Sequence, residues 1–362
     1  MKKIIALLMA LVLVLGLTAC GGNAAEADTF KVGAIYINSK NDTAGYTFAH
    51  HNGITTAMKE LGLDVEKQLV IVDEVPEDKQ KVLDAVDTLV GEGADIVFGI
   101  SFGYIDALEE AAATYPDVIF SHGTGYKANE TNFNNYFGRI YEARYLAGIA
   151  AGLRTENNYL GYVAAMQIPE CIYSMNAYFL GAKSVNPDVK MDVVFTNTWY
   201  DPTIERQAAV ALLDKGVDMM AQHQDTTNPV AAAEEYGVWA CGYNADMTEA
   251  GPNAHLTAPV WNWGAYVTAT VQQVIDGTWV PENSLMGMAE GLVDIAPLTK
   301  NVAEGTAEAI DAARAAILDG TLNVFTGPIY DNEGNLRVEE GQILTPEEIL
   351  QIDWFVEGIT VV

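Results

Sequence analysis

Val32-Gly-Ala-Ile-Tyr-Ile37 opens a pattern that the rest of the chain repeats. The run is short and apolar, and a helical period follows it: Ile54, Ala57, Met58 and Leu61 fall at i, i+3, i+4 and i+7, with Gly62 placed to end the helix. Leu69 to Val72 precedes a helical pattern through Val82, Val86 and Leu89, and Ile96 to Ile100 precedes another from Ala107 to Ala113. Val118 to Ser121 closes this series. A second series begins at Leu160-Gly-Tyr-Val-Ala-Ala165, continues through Val193 to Phe195, the helix Glu205 to Leu213 and Val217 to Ala221, and reaches Val238 to Gly242. Strands and helices alternating at this spacing predict an α/β protein of two doubly wound lobes, with parallel sheets and ligand sites beyond the carboxyl ends of the strands. Two similar lobes in turn predict a cleft that closes on a captured ligand.

The N-terminus carries a different signal. Met1-Lys2-Lys3 is positive, Ile4 to Leu17 is almost wholly apolar, and Leu17-Thr-Ala-Cys20-Gly21 ends in small residues before a cysteine. That combination predicts a lipoprotein signal peptide over 1–19, cleaved to leave a lipidated Cys20, and a short tether over 20–29. The apolar run is shorter than the roughly 20 residues needed to span a bilayer. Acyl chains on Cys20 then anchor an exported protein to the cell membrane. Cleavage leaves 343 of 362 residues, more than one core usually holds, and loss of Lys2 and Lys3 takes the formal net charge from −30 to −32. So acidic a surface repels phosphate backbones, which excludes nucleic acid as a partner. Cys171 and Cys241 either bridge or sit as small buried hydrophobes. No Cys-x-x-Cys or His-Glu-x-x-His spacing occurs, so neither a metal nor a cofactor is called for. Tyr330-Asp-Asn-Glu-Gly-Asn-Leu-Arg337 lacks the ligand spacing of a calcium loop and reads as a hairpin turn.

Gly99-Ile-Ser-Phe-Gly103 matches the nucleophile elbow of serine hydrolases and stands between a strand and a helix, where that motif belongs. Ser101 with Asp225 or Asp246 and His255 would complete an esterase triad. The simpler reading is a tight turn whose amides and hydroxyl face a ligand. Aromatic, amide and carboxylate residues gather after the predicted strands on both lobes: Asp42, Tyr46, Phe48 and His50; Phe102; His122; Asn197, Trp199 and Tyr200; His223, Gln224 and Asp225; Tyr243, Asn244 and Asp246; then Trp261 and Trp263. Flat apolar faces edged by carboxylates and amides suit a heteroaromatic ring, which gains about 1–3 kcal/mol from stacking on one aromatic side chain.

The chain resembles the basic membrane protein family of bacterial lipoproteins, substrate-binding proteins of ABC transporters for purine nucleosides and related compounds. The resemblance rests on Gly45-Tyr-Thr-Phe-Ala-His-His-Asn-Gly53, Ile100-Ser-Phe-Gly103, Tyr141-Glu-Ala-Arg-Tyr-Leu-Ala-Gly148, Asn197-Thr-Trp-Tyr-Asp-Pro202, Gln222-His-Gln-Asp225, Gly242-Tyr-Asn-Ala-Asp-Met247 and Val260-Trp-Asn-Trp-Gly264. It implies the type I periplasmic-binding-protein fold, with a first lobe over 30–148 and about 259–296, and a second over 149–258 and about 297–362. It also implies a monomer that hands its ligand to an ABC permease. The family's base-binding Asp and stacking aromatic correspond to Asp42 and Tyr46. Its ribose-binding Asp stands in a Gly-x-Asp-x-Asp turn, which here reads Gly242-Tyr-Asn-Ala-Asp246, so that Asn244 replaces the carboxylate; Trp261 replaces a family lysine. These departures resemble a subgroup marked by Gly-Trp-x-Tyr-x-His, suited to a free nucleobase such as adenine; Tyr46 stands at its Trp position. On this reading Tyr46 and Trp261 sandwich the ring, Asp42, His122 and Asn244 read its edge, and Ser101 and Glu142 line the cleft. Glu142 has an alternative partner in Arg139 or Arg144. A ligand-sensing surface lipoprotein without a transport role is a further alternative.

Overall fold

The computed structural model describes residues 30–362; the expected signal peptide, Cys20 and the whole tether over 20–29 lie outside them. Two parallel sheets organise the chain. The first holds β1 (Val32–Tyr36), β2 (Leu69–Val72), β3 (Ile96–Ile100), β4 (Ile119–Gly123) and β5 (Phe133–Gly138) in the order 2-1-3-4-5, and β11 (Ser284–Met286) returns to pair with β5. The second holds β6 (Tyr159–Ala164), β7 (Lys190–Phe195), β8 (Met219–His223) and β9 (Trp239–Ala240), with β15 (Ile359–Val361) added beside β7. Strand positions follow the apolar runs closely because β1, β3 and β8 are buried along their whole length.

The first helix, α1 (Gly45–Glu60), buries Ile54, Ala57 and Met58 and ends at Leu61, ahead of Gly62 at φ +73°. The largest helical contact joins two segments whose sequence shows no stripe: Ile140–Arg154 and Pro169–Val185. Both are buried nearly all round, which removes the polar face that periodicity relies on. They touch backbone to backbone. A Cβ on Gly148 would lie 2.0 Å from Tyr178 O, and one on Gly181 would lie 2.0 Å from Tyr145 O. The expected lobe boundary at residues 148 and 149 falls inside the first of these helices.

The chain passes between the sheets three times, twice through the strands β10 (Pro259–Trp261) and β12 (Val293–Ile295), which pair antiparallel. Rings brace this junction: His50 of α1 stacks on Trp263 at 4.1 Å, and Trp263 stacks on Trp261 at 4.5 Å. Cys171 and Cys241 are both free and buried, Cys241 Sγ lying 3.7 Å from Ala147 O. Ile329–Tyr330 and Leu336–Val338 form a hairpin, as expected. Asp331 fills its turn, accepting from the Asn335 and Glu333 amides and from Arg337 Nε at 2.6 Å.

Candidate functional site

The carboxyl ends of both sheets face one cleft. The first sheet supplies Ile37 after β1, Ser101 and Phe102 after β3, Thr124 after β4, and Tyr46 at the start of α1. The second supplies Glu170, Trp199, His223, Asp225, Tyr243 and Asn244. The space between these residues that no atom fills amounts to about 400 Å³, open solvent at the mouth included.

Tyr46, Ser101, Phe102, Trp199, His223, Asp225 and Asn244 were expected at the ligand, and they line this cleft. Asp225 reaches across it. Its Oδ1 accepts the Tyr46 amide at 3.0 Å and Asn244 Nδ2 at 2.9 Å, and its Oδ2 accepts Asn38 Nδ2 at 3.3 Å. Burial nevertheless pushes its carboxyl up to about 7, with Glu205, Asp42 and Glu170 adding to the rise. The Tyr46 hydroxyl bonds to that of Thr124, a residue held at φ +70°. Asn244 has both ends of its amide engaged, because its Oδ1 accepts Trp261 Nε1 at 2.9 Å.

The other expected residues lie elsewhere. Trp261 does not face Tyr46 across the cleft; its indole is held by Asn244 and Trp263 and walls a separate groove with Phe48 and Asp246. Asp246 turns its carboxylate to Thr248, accepting the amide at 2.9 Å. His122 is fully buried behind the cleft, Nε2 within 2.7 Å of Ser101 O. Glu142 takes Arg139 Nε at 2.7 Å and the Met288 amide at 2.7 Å, realising its ion-pair alternative. Asn197 is exposed in a turn at φ +56°. Asp42 is half-buried outside the cleft lining; burial, then Glu74 and Asp73, raise its carboxyl. Ser101 is not set up as a nucleophile: its hydroxyl donates to Glu77 Oε1 at 2.5 Å, while His255 faces Thr248 at 3.2 Å. Among the described residues no cluster of His, Cys, Asp and Glu could hold a metal.

Ile37, Thr124 and Glu170 escaped sequence reasoning as wall residues, whereas Tyr243 was among the aromatic residues expected after Val238 to Gly242. Thr124 lies two positions beyond His122, which that reasoning did single out. Glu170 had one usable signal, the Pro169 that opens a helix just after β6 and so puts residue 170 in the first turn at a strand's carboxyl end. Its Oε1 lies 3.3 Å from His223 Nε2. Burial pushes the Glu170 carboxyl up to about 8 despite Arg144, and holds His223 well below the usual imidazole range, with Arg144 adding to that fall. The Arg144 guanidinium itself lies 3.7 Å over the Tyr243 ring, its Nη1 donating to Gln222 O at 2.8 Å.

Known proteins resemble the chain in sequence and in fold. A purine-binding protein of Brucella abortus is 36% identical over 341 residues, covering 94% of this chain and 95% of its own. A Haloferax volcanii protein provisionally described as the ABC transporter glucose-binding protein TsgA13 is 37% identical over 319 residues, 88% of this chain and 80% of its own. A solute-binding protein of an ABC transporter system from Conexibacter woesei superposes with a TM-score of 0.67 at 20% identity, over 81% of this chain and 98% of its own; it shares the type I periplasmic-binding-protein fold. The family described as ABC transporter substrate-binding protein, PnrA-like, matches residues 30–324, and the chain belongs to that family.

Proposed function

We propose that the protein captures a purine, with a free nucleobase such as adenine preferred to a nucleoside, and delivers it to an ABC permease without chemical change. On this reading it is exported and tethered to the membrane by a lipidated Cys20, with its two lobes closing on the ligand as a monomer. Among the described residues no helix is long and apolar enough to cross a membrane.

The observation that carries the reading is how few polar atoms on the walls are uncommitted. Tyr46, Phe102, Trp199 and Tyr243 offer ring faces, whereas Ser101, Thr124, Asp225 and Asn244 are already bonded within the protein. A hexose has a hydroxyl on nearly every carbon, and each one buried without a partner costs about 1–3 kcal/mol. A flat base needs few partners. The locked amide of Asn244 and the indole beside it likewise leave no acceptor pair for the vicinal diol of a ribose.

The test is a thermal-shift screen of the chain from Gly21, refolded from denaturant to remove retained ligand, against adenine, hypoxanthine, guanine, their nucleosides and glucose. Ligand at 100 times its Kd adds about 2.7 kcal/mol of stability. Adenine shifting the transition and adenosine not doing so is the expected result. A glucose shift without a purine shift overturns the proposal.

A further inference from the structure

Two atoms on the cleft walls are buried and have no hydrogen-bond partner: Glu170 Oε2 and His223 Nδ1. They belong to side chains that already face each other, through Oε1 and Nε2 at 3.3 Å. We propose that Glu170 and His223 act together as the reader of ligand specificity, selecting a planar heterocycle that carries a hydrogen-bond donor beside an acceptor on one edge, as the amino group and neighbouring ring nitrogen of a 6-aminopurine do. The inference deepens the purine reading and rests on it.

A proton count supports it. A carboxyl and an imidazole that are uncharged overall hold two protons, whether as acid and neutral ring or as carboxylate and imidazolium. One proton lies in the Oε1 to Nε2 contact. The other sits on Oε2 or on Nδ1, so the two free atoms present one donor and one acceptor. Removing a proton leaves two acceptors, and the match to an amino group beside a ring nitrogen is lost. The pair titrates as a unit, and burial places the loss of that proton near the raised Glu170 value of about 8. The groups facing it are Arg144, Tyr162 and Tyr243, Cys171 and Tyr173 on its own helix, Tyr46, and Asp225, which titrates in the same range.

The experiment compares adenine affinity of the full mature chain and of Glu170→Gln between about pH 6 and about pH 9, by calorimetry. Glutamine keeps a donor and an acceptor but has no proton to lose. Native affinity should weaken above about pH 8, approaching tenfold per pH unit, while the variant stays within about threefold. Asp225 titrates in both proteins, so the difference between the profiles belongs to Glu170. Parallel profiles overturn the proposal, as does a variant that unfolds at the native temperature yet binds no adenine. A measurement on the native protein alone covers a variant that misfolds: unsubstituted purine, which lacks the amino donor, should bind about tenfold or more weakly than adenine at neutral pH, and equal binding overturns the proposal. Absence of binding by every purine overturns the proposed function and this inference with it, whereas adenine binding with neither effect overturns this inference alone.

Discussion

The carboxylate of Asp225 accepts the backbone N–H of Tyr46 at 3.0 Å, so that a residue at the end of β8 in the second sheet caps the helix that begins beside the first. That helix has no cap of its own, since Ala44 at its N-cap offers no side-chain acceptor. Cap removal costs about 0.5–2 kcal/mol. Because this cap exists only while the two sheets are together, Asp225→Ala should weaken ligand affinity by about two- to thirtyfold and leave the unfolding temperature of the unliganded protein nearly unchanged. Calorimetry and a ligand-free melt together check this. A large fall in the ligand-free melting temperature would move the role of Asp225 from closure to folding.

Gly45 sits against the same contact. It has φ +89°, and a Cβ there would lie 2.4 Å from Asp225 O. Gly45→Ala should therefore reduce affinity at least tenfold, by holding the sheets apart. Unchanged affinity would show that the contact yields.

Stability should depend on pH in two opposed ways. Burial raises Glu205 to about 7 and Glu170 to about 8, both bonded within the second sheet's own side of the cleft, so the folded chain holds protons that the unfolded chain releases, and stability falls as pH rises toward 8. Burial lowers His50 to about 3 and both His122 and His255 to about 4, so folding expels protons below about pH 6.5 and stability rises with pH up to there. The ligand-free melting temperature should peak near about pH 6.5 and decline by about pH 8.5. A steady rise across that alkaline interval would contradict the raised carboxyls.

The groove behind Asn244 gives a specificity test. Trp261→Ala removes the indole that donates to Asn244 Oδ1 and opens the cleft wall toward the space lined by Phe48 and Asn262. Affinity for adenosine relative to adenine should rise by about tenfold. A constant ratio would show that something other than this wall excludes the sugar.

Gly148 and Gly181 permit the tightest helix contact in the described residues, and overpacking there has nowhere to relax because the obstacles are backbone oxygens. Gly148→Ala should cost about 3 kcal/mol or more. Urea unfolding would read it, and a cost below about 1 kcal/mol would show that the helices slide apart easily.

The strands β1 to β4 and β6 to β9 were legible because each carries or adjoins a short apolar run, and the cleft residues that follow them were legible for the same reason; β10, β11, β12 and β15, at three residues each, were too short to be read. The strand Phe133–Gly138 was not legible, since Asn134 and Asn135 read as loop; only the fold shows Asn134 Nδ2 satisfied by Tyr266 Oη at 3.0 Å and Glu282 O at 2.8 Å. The helices Ile140–Arg154 and Pro169–Val185 were hidden by being apolar on every side. Glu170 looks in sequence like any acidic residue in a helix's first turn, and its importance comes from His223, 53 positions away, beside it in space. Trp261 misled for the converse reason: an aromatic among site residues can be held by one of them, as it is by Asn244, instead of by a ligand.

The edge strand Ile359–Val361 pairs with Lys190–Phe195. At three residues it makes a short edge for the second sheet, and a copy without it would present the six-residue strand Lys190–Phe195 as the edge instead, a longer row of unpaired backbone groups of the kind that recruits other chains into aggregates.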